Sequence, residues 1–186
     1  MAAGDGLISM KPTSITHAGT SASINADGGV DFTAVTSLSL NGVFTSDYDN
    51  YLVVIRGQND GVTDASTSIR LRAAGSDASG ANYVRQFLNV DSTTVSGRRD
   101  TGQTNWNQPV VFYSDTADQG GVAMHIYGPY LAQPTAARTV NANAYLGAYL
   151  LDHAYTHSLS TSYDGFTMAV TGSTATGTVH VFGYEE

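Results

Sequence analysis

Apolar and polar positions alternate along this chain in short runs, and the runs recur roughly every ten residues, separated by clusters of Gly, Asn, Asp and Ser. In Ile69-Arg70-Leu71-Arg72-Ala73 the apolar side chains point one way and both arginines the other. In Val122-Ala123-Met124-His125-Ile126-Tyr127 the inward set is Val122, Met124 and Ile126. A period of two sustained this way predicts strands, here at 23–25, 30–33, 37–40, 51–56, 68–73, 83–90, 110–113, 122–127, 138–144, 145–151, 153–157, 166–170 and 176–184. Asp27-Gly28-Gly29 lies between two of these runs and reads as a tight hairpin turn. Tyr51 to Ile55 is apolar on both faces, which suits a strand covered on both sides or one face engaged in a subunit contact. Residues 144–159 compete as a helix, but Tyr145, Gly147, Tyr149, Leu151, His153, Tyr155 and His157 keep a period of two, and Gly147 disfavours a helix.

Composition strengthens the strand reading. Charged residues make up 13% of the chain, about half the typical share, and Ser, Thr, Asn and Gly take their place. Glu occurs only at 185 and 186 and Lys only at 11, so the residues that usually clothe exposed helices are nearly missing. The expected fold class is all-β: an antiparallel β-sandwich, jelly-roll-like, with an extended N-terminal arm. Residues 1–22, with Gly4, Gly6, Pro12 and Gly19 and little periodicity, form the expected arm or anchor, and residues 23–186 the single sandwich domain. Two stretches echo each other: residues 40–51 and 160–166 both run from a polar turn through Tyr-Asp to an aromatic and into an apolar strand.

The net charge of −8 and the scattered Lys and Arg argue against nucleic acid as a partner. With no Cys, disulfides and thiolate metal sites are excluded. The N-terminus lacks the basic patch and apolar run of a signal peptide, and no apolar stretch approaches the roughly 18 residues of a membrane span. A chain made in soluble form in the cytosol, without membrane insertion, is the expectation.

Candidate chemistry is sparse. His153 and His157 have the His-x-x-x-His spacing of helical zinc ligands, but on a strand that spacing spans roughly 13 Å, too far for one ion. Asp47, Asp49 and Asn50, or Asp60 and Asp64, could offer oxygens to calcium; the same residue types cap turns. Arg98-Arg99-Asp100 reads as a basic loop tip, and Arg70 and Arg72 as sheet-surface cations open to a partner subunit or an anionic glycan. No G-x-S-x-G elbow is present, and a carboxylate pair for glycoside hydrolysis would have to be built from Asp. No catalytic residue, metal or cofactor is therefore assigned. The aromatics say more: eleven Tyr and the single Trp lie largely in or beside polar segments such as Thr104-Asn105-Trp106-Asn107-Gln108. Tyr83, Trp106, Tyr127, Tyr130 and Tyr163 are the candidate glycan contacts, with packing as the competing role.

Five pieces of the sequence resemble, in order, small β-rich virion proteins of tailed bacteriophages, marine and cyanobacterial ones especially. They are residues 41–51 (Asn-Gly-Val-Phe-Thr-Ser-Asp-Tyr-Asp-Asn-Tyr), 83–87, 94–97, 161–166 and 177–184. The resemblance implies a virion structural protein without catalytic residues, and the chain's length favours a fibre knob, collar piece or capsid decoration over a complete tail fibre. By the same analogy the expected partners are further copies of itself, with a trimer as first choice, and other virion proteins. A glycan-binding receptor module is the alternative, and a polysaccharide depolymerase the weaker one.

Overall fold

The computed structural model describes residues 6–91, 93–114, 119–143 and 150–185. Its strands are β1 (Leu7–Ser9), β2 (Ser14–Ile24), β3 (Val30–Asn41), β4 (Asn50–Asn59), β5 (Ala65–Ala73), β6 (Ser76–Asp77) and β7 (Tyr83–Asp91). They continue with β8 (Thr94–Gln103), β9 (Trp106–Phe112), β10 (Gln119–Tyr127), β11 (Thr135–Asn143), β12 (Leu150–His157), β13 (Gly165–Thr171) and β14 (Ala175–Tyr184). Every pairing between them is antiparallel. The antiparallel β-sandwich expected from the sequence is what the chain forms.

The two layers share one strand. The second half of β3 pairs with β13, which continues to β5 and from there to β6 and β9. The first half of β3 pairs with β14, which continues through β4, β10, β11, β12 and β7 to β8. Between the halves the ladder slips, and Ala34 adopts a positive φ of 47°. Strands that pass from one sheet to the other make their corner at such a bulge. β2 follows β3 round this corner, and Gly19 at φ 129° permits it, because a Cβ there would lie 2.2 Å from the Ala34 carbonyl oxygen. The β2–β3 turn is the tight Asp27-Gly28-Gly29 turn: Asn25 N–H donates to Gly29 O (2.7 Å) and Gly29 N–H to Asp27 Oδ1 (3.1 Å).

The core lies between the layers. Leu40, Phe166 and Leu71 form one row across β3, β13 and β5, and Leu38, Met168 and Ile69 the next, all buried. Val181, Val53 and Met124 line up across β14, β4 and β10 on the facing layer. Burial of side chains of this size contributes roughly 1.5–3 kcal/mol each. Leu52 and Val54, on the outer face of β4, are half-buried among neighbouring strands, so Tyr51 to Ile55 is covered on one side by the core and partly open on the other.

The echoed stretches meet at one end of the sandwich. Val43 and Phe44 N–H both donate to Asp164 O, and the Phe44 and Phe166 rings stack at 6.0 Å. Tyr51 closes the β3–β4 loop, its hydroxyl donating to Thr45 O (2.8 Å) and accepting from Thr45 N–H (2.7 Å).

Three expectations need correction. Residues 7–9 and 14–24 are strands of the sheet and Pro12 is buried, so the boundary placed after residue 22 falls inside β2. Hydrogen bonds to β14 and β3 hold this segment, whose exposed Ser, Thr, Ala and Gly leave no apolar alternation to read. Arg98, Arg99 and Asp100 lie in β8 and not at a loop tip; β8 is exposed on both faces and is defined by its ladder to β7. Trp106, offered as a glycan contact in a polar segment, begins β9 and is buried. Of the competing helix, 144–149 lies outside the described residues, and 150–157 is β12.

Candidate functional site

β9 is a strand with two different edges. One pairs with β5; the other looks onto the inner face of β7 and β12 and is met by side chains instead of a ladder. Arg85 Nη1 donates to Asn107 O (3.1 Å) and to Gln108 Oε1 (2.9 Å), and Tyr155 Oη donates to Asn107 O (2.9 Å). Trp106 Nε1 donates to Thr156 O (3.1 Å). The register of β9 slips opposite Ser66 to Ser68, and Gln108, at φ 58°, turns its amide to Arg85 at that irregularity.

Arg85 is 4% exposed and is matched by Asp100 of β8, whose Oδ2 accepts from Nε (3.0 Å) and Nη2 (2.5 Å). The hydrogen bonds from Arg85, and secondarily from Arg98, hold the Asp100 carboxyl below the usual carboxylate range. Beside it His153 is buried and its pKa is pushed down to about 4, first by loss of water and then by the Arg85 charge. Tyr155 gives its one hydroxyl proton to Asn107 O, so His153 Nδ1 donates to Tyr155 Oη (2.8 Å) and the ring is neutral with its proton on Nδ1. Burial likewise raises the Tyr155 phenol and lowers the His157 imidazole, whose Nδ1 meets Tyr163 Oη at 3.2 Å.

Past Arg85 the gap between β9 and β7–β12 opens as a cleft of about 370 Å³. Phe87, Asn89 and Leu151 form its floor, Gln108, Val111 and Tyr113 one wall, and Asp64 its rim. Asp64 Oδ1 accepts from Ser114 N–H (2.9 Å). The Arg85 guanidinium lies 4.6 Å from the centre of the half-buried Phe87 ring, and His153 meets that ring edge-on. Asn89 Oδ1 is shut away from solvent and has no hydrogen-bond partner among the described residues. Two aromatic rings, two amides and a carboxylate around this opening can stack an apolar ring face and receive hydroxyl donors.

The five aromatics singled out in the sequence do not gather here. Tyr83, Trp106 and Tyr163 are core residues, exposed by 0%, 0% and 1%, with their polar atoms satisfied inside. Tyr83 Oη accepts from Leu71 N–H (3.1 Å) and donates to Ala78 O (2.8 Å), and burial raises its pKa. These three cannot touch a surface ligand: a Tyr or Trp with its polar tip capped is a well-satisfied core side chain. Tyr127 and Tyr130 are exposed, at the end of β10 and in the turn after it. Asp47 and Asp49 line a separate hollow with Tyr48, Tyr184 and Glu185. Arg72 pairs with Asp77 and also donates to Asn41 Oδ1, Ser39 Oγ and Thr167 Oγ1, which ties it into its own sheet. Arg70 Nε donates to Thr104 O.

The cleft residues Phe87, Asn89, Gln108 and Tyr113 were not among the sequence candidates. One signal was there: Tyr83, Arg85, Phe87 and Asn89 share a face by period two, and an Arg and an Asn on a core-facing row need partners.

No protein-family model and no curated protein matches this chain. Among solved structures it is similar to the CBM2 module of the evolved Dit of Lactobacillus casei BL23 phage J-1, at 11% identity and a TM-score of 0.32, covering 97% of this chain and 98% of that one. Domain 4 of AbnA, a GH43 extracellular arabinanase from Geobacillus stearothermophilus, in complex with arabinotriose, is similar at 9% identity and a TM-score of 0.32, over 96% and 93% of the two chains. A Lotus tetragonolobus seed lectin follows at 8% identity and 0.27, over 97% and 99%. Likenesses this distant transfer neither ligand nor role.

Proposed function

We propose that this chain is a non-enzymatic adhesion and structural component of a tailed-phage particle, and that the cleft between β9 and β7–β12 holds a saccharide of the host surface. The observation that carries the saccharide reading is the cleft itself. Phe87 and Tyr113 offer ring surface, and Asn89, Gln108 and Asp64 offer the amide and carboxylate groups that sugar hydroxyls pair with. The particle reading is supported by the ordered resemblance, and three of its five pieces are packed together: 41–51 against 161–166 by the Asp164 and Phe44 contacts, and 177–184 along β4.

Retention on host cells and a glycan array test the cleft. Wild type and Tyr127→Ala are expected to bind alike, while Phe87→Ala loses at least about tenfold, the effect of about 1.4 kcal/mol. Equal binding by Phe87→Ala would remove the cleft from the account. Mass spectrometry of purified particles tests the virion assignment, which fails if the chain is missing from them. New reducing ends from host polysaccharide incubated with pure protein would overturn the non-enzymatic reading.

A further inference from the structure

We propose that β2 is the seam along which two copies of this chain join, antiparallel and edge to edge, so that the sheets of both run on through the junction. β2 is hydrogen-bonded to β3 along one edge from Ser14 to Ile24, and its other edge has no strand partner among the described residues. Along these eleven residues every second one turns its backbone donor and acceptor to the open edge, a template for another strand unless something blocks it. Nothing in β2 does so by charge or by ring: between Ser14 and Ile24 there is no Asp, Glu, Lys, Arg or Pro. β8, the strand at the far end of the sheet, is also exposed on both faces, but it carries Arg98, Arg99 and Asp100. One margin is guarded and the other is left open.

The occupant follows from the side chains. Ile15, Ala22 and Ile24 lie opposite the buried Leu40, Phe32 and Val30, so they face the core, yet they stay partly exposed because the sandwich ends at them. The corner at Gly19 and Ala34 shifts the inward set, from Ile15 before it to Ala22 and Ile24 after it, so odd positions give way to even ones. A two-fold axis between Gly19 and Thr20 sets each odd position opposite an even one. Ile15 then meets Ile24 of the second copy, and His17 meets Ala22, all on the core-facing side, while Thr16 meets Ser23 on the outer side. A strand with unbroken alternation would set inward residues against outward ones in this register. The bent strand is complementary to itself, and a second copy both fills its hydrogen bonds and covers its isoleucines.

The chain has no cysteine, so introduced thiols report without background. In the proposed register the Thr16→Cys/Ser23→Cys protein places two thiol pairs on Cα atoms about 4.5–5.5 Å apart, within disulfide reach. Mild oxidation is expected to give a covalent dimer. Thr16→Cys alone, whose thiols would lie well beyond disulfide reach on opposite arms of the bent strand, is expected to stay uncrosslinked. By light scattering the wild type is expected at twice the chain mass. Thr16→Lys/Ser23→Lys, which sets lysine against lysine in each pair, is expected at half the wild-type mass with an unchanged circular dichroism spectrum. A monomeric wild type, an assembly indifferent to the lysines, or crosslinking of Thr16→Cys alone as fast as the double variant would each overturn the proposal.

Discussion

Acidification should unfold this protein partly through His153. The ring is buried, donates from Nδ1 to Tyr155 Oη, and lies near the Arg85 guanidinium, so a second proton would enter without water beside an existing positive charge. In the unfolded chain it titrates near the ordinary 6.5, and in the folded chain near 4. The folded pKa is the lower one, so the unfolded state binds more protons between these values and stability falls as pH falls. It is fully present above pH 6.5 and lost progressively down to about pH 4. At about 1.4 kcal/mol per pH unit the loss approaches roughly 3 kcal/mol, a net effect in which the Asp152 carboxylate already offsets part of the burial. The measurement is urea unfolding of wild type and His153→Gln from pH 7.5 to pH 4. His153→Gln keeps an amide that can donate to Tyr155 but cannot titrate. The two curves of stability against pH should run parallel above pH 6.5 and converge below it, as wild type loses stability that the variant keeps. Parallel curves throughout would refute the reasoning, because the acid sensitivity would then belong to carboxylates common to both proteins.

Three further outcomes follow from the packing. Trp106→Ala should cost about 3–5 kcal/mol in chemical unfolding, since it empties a core site and orphans Thr156 O; a change below about 1 kcal/mol would mean the ring is not in the core. Gly19→Ala should lower stability by at least about 2 kcal/mol, read as a fall in melting temperature of several degrees, because a Cβ there meets Ala34 O and φ is 129°. Asp100→Ala should cost about 3 kcal/mol or more in urea, because it leaves the Arg85 guanidinium buried without its carboxylate.

The two-layer all-β build was legible because core strands alternate: the rows through Leu71, Met124 and Val181 are the inward positions that period two marks out. β2 and β8 were not legible, because strands exposed along most of their length lack that contrast and are defined mainly by their ladders. The site was legible in kind and missed in place. Tyr and Trp in polar company suggested ring-mediated recognition, but Trp106, Tyr83 and Tyr163 have hydrogen-bond partners that long-range folding brings: Thr156 O, Leu71 N–H with Ala78 O, and His157 Nδ1. Local sequence does not distinguish a capped aromatic from an exposed one. The resembling pieces at 41–51 and 161–166 touch each other and lock one end of the scaffold, a role that needs no ligand and that their spacing in sequence does not show.

The place of β14 bears on how the chain is made. β3 and β4 follow one another in sequence, yet they join the same layer only through β14, which lies between them and begins at Ala175. β5 and β3 likewise meet only through β13. The β2–β3 hairpin can form early, but the other edge of β3 and the first edge of β4 wait for β13 and β14, and their apolar rows stay open until those strands are made. Closure of the sandwich therefore depends on pairings distant in sequence, the kind that slow folding. Loss of residues 175–184 would break the backbone ladder between β3 and β4 and leave the layers joined by core packing and the side-chain bonds to β9.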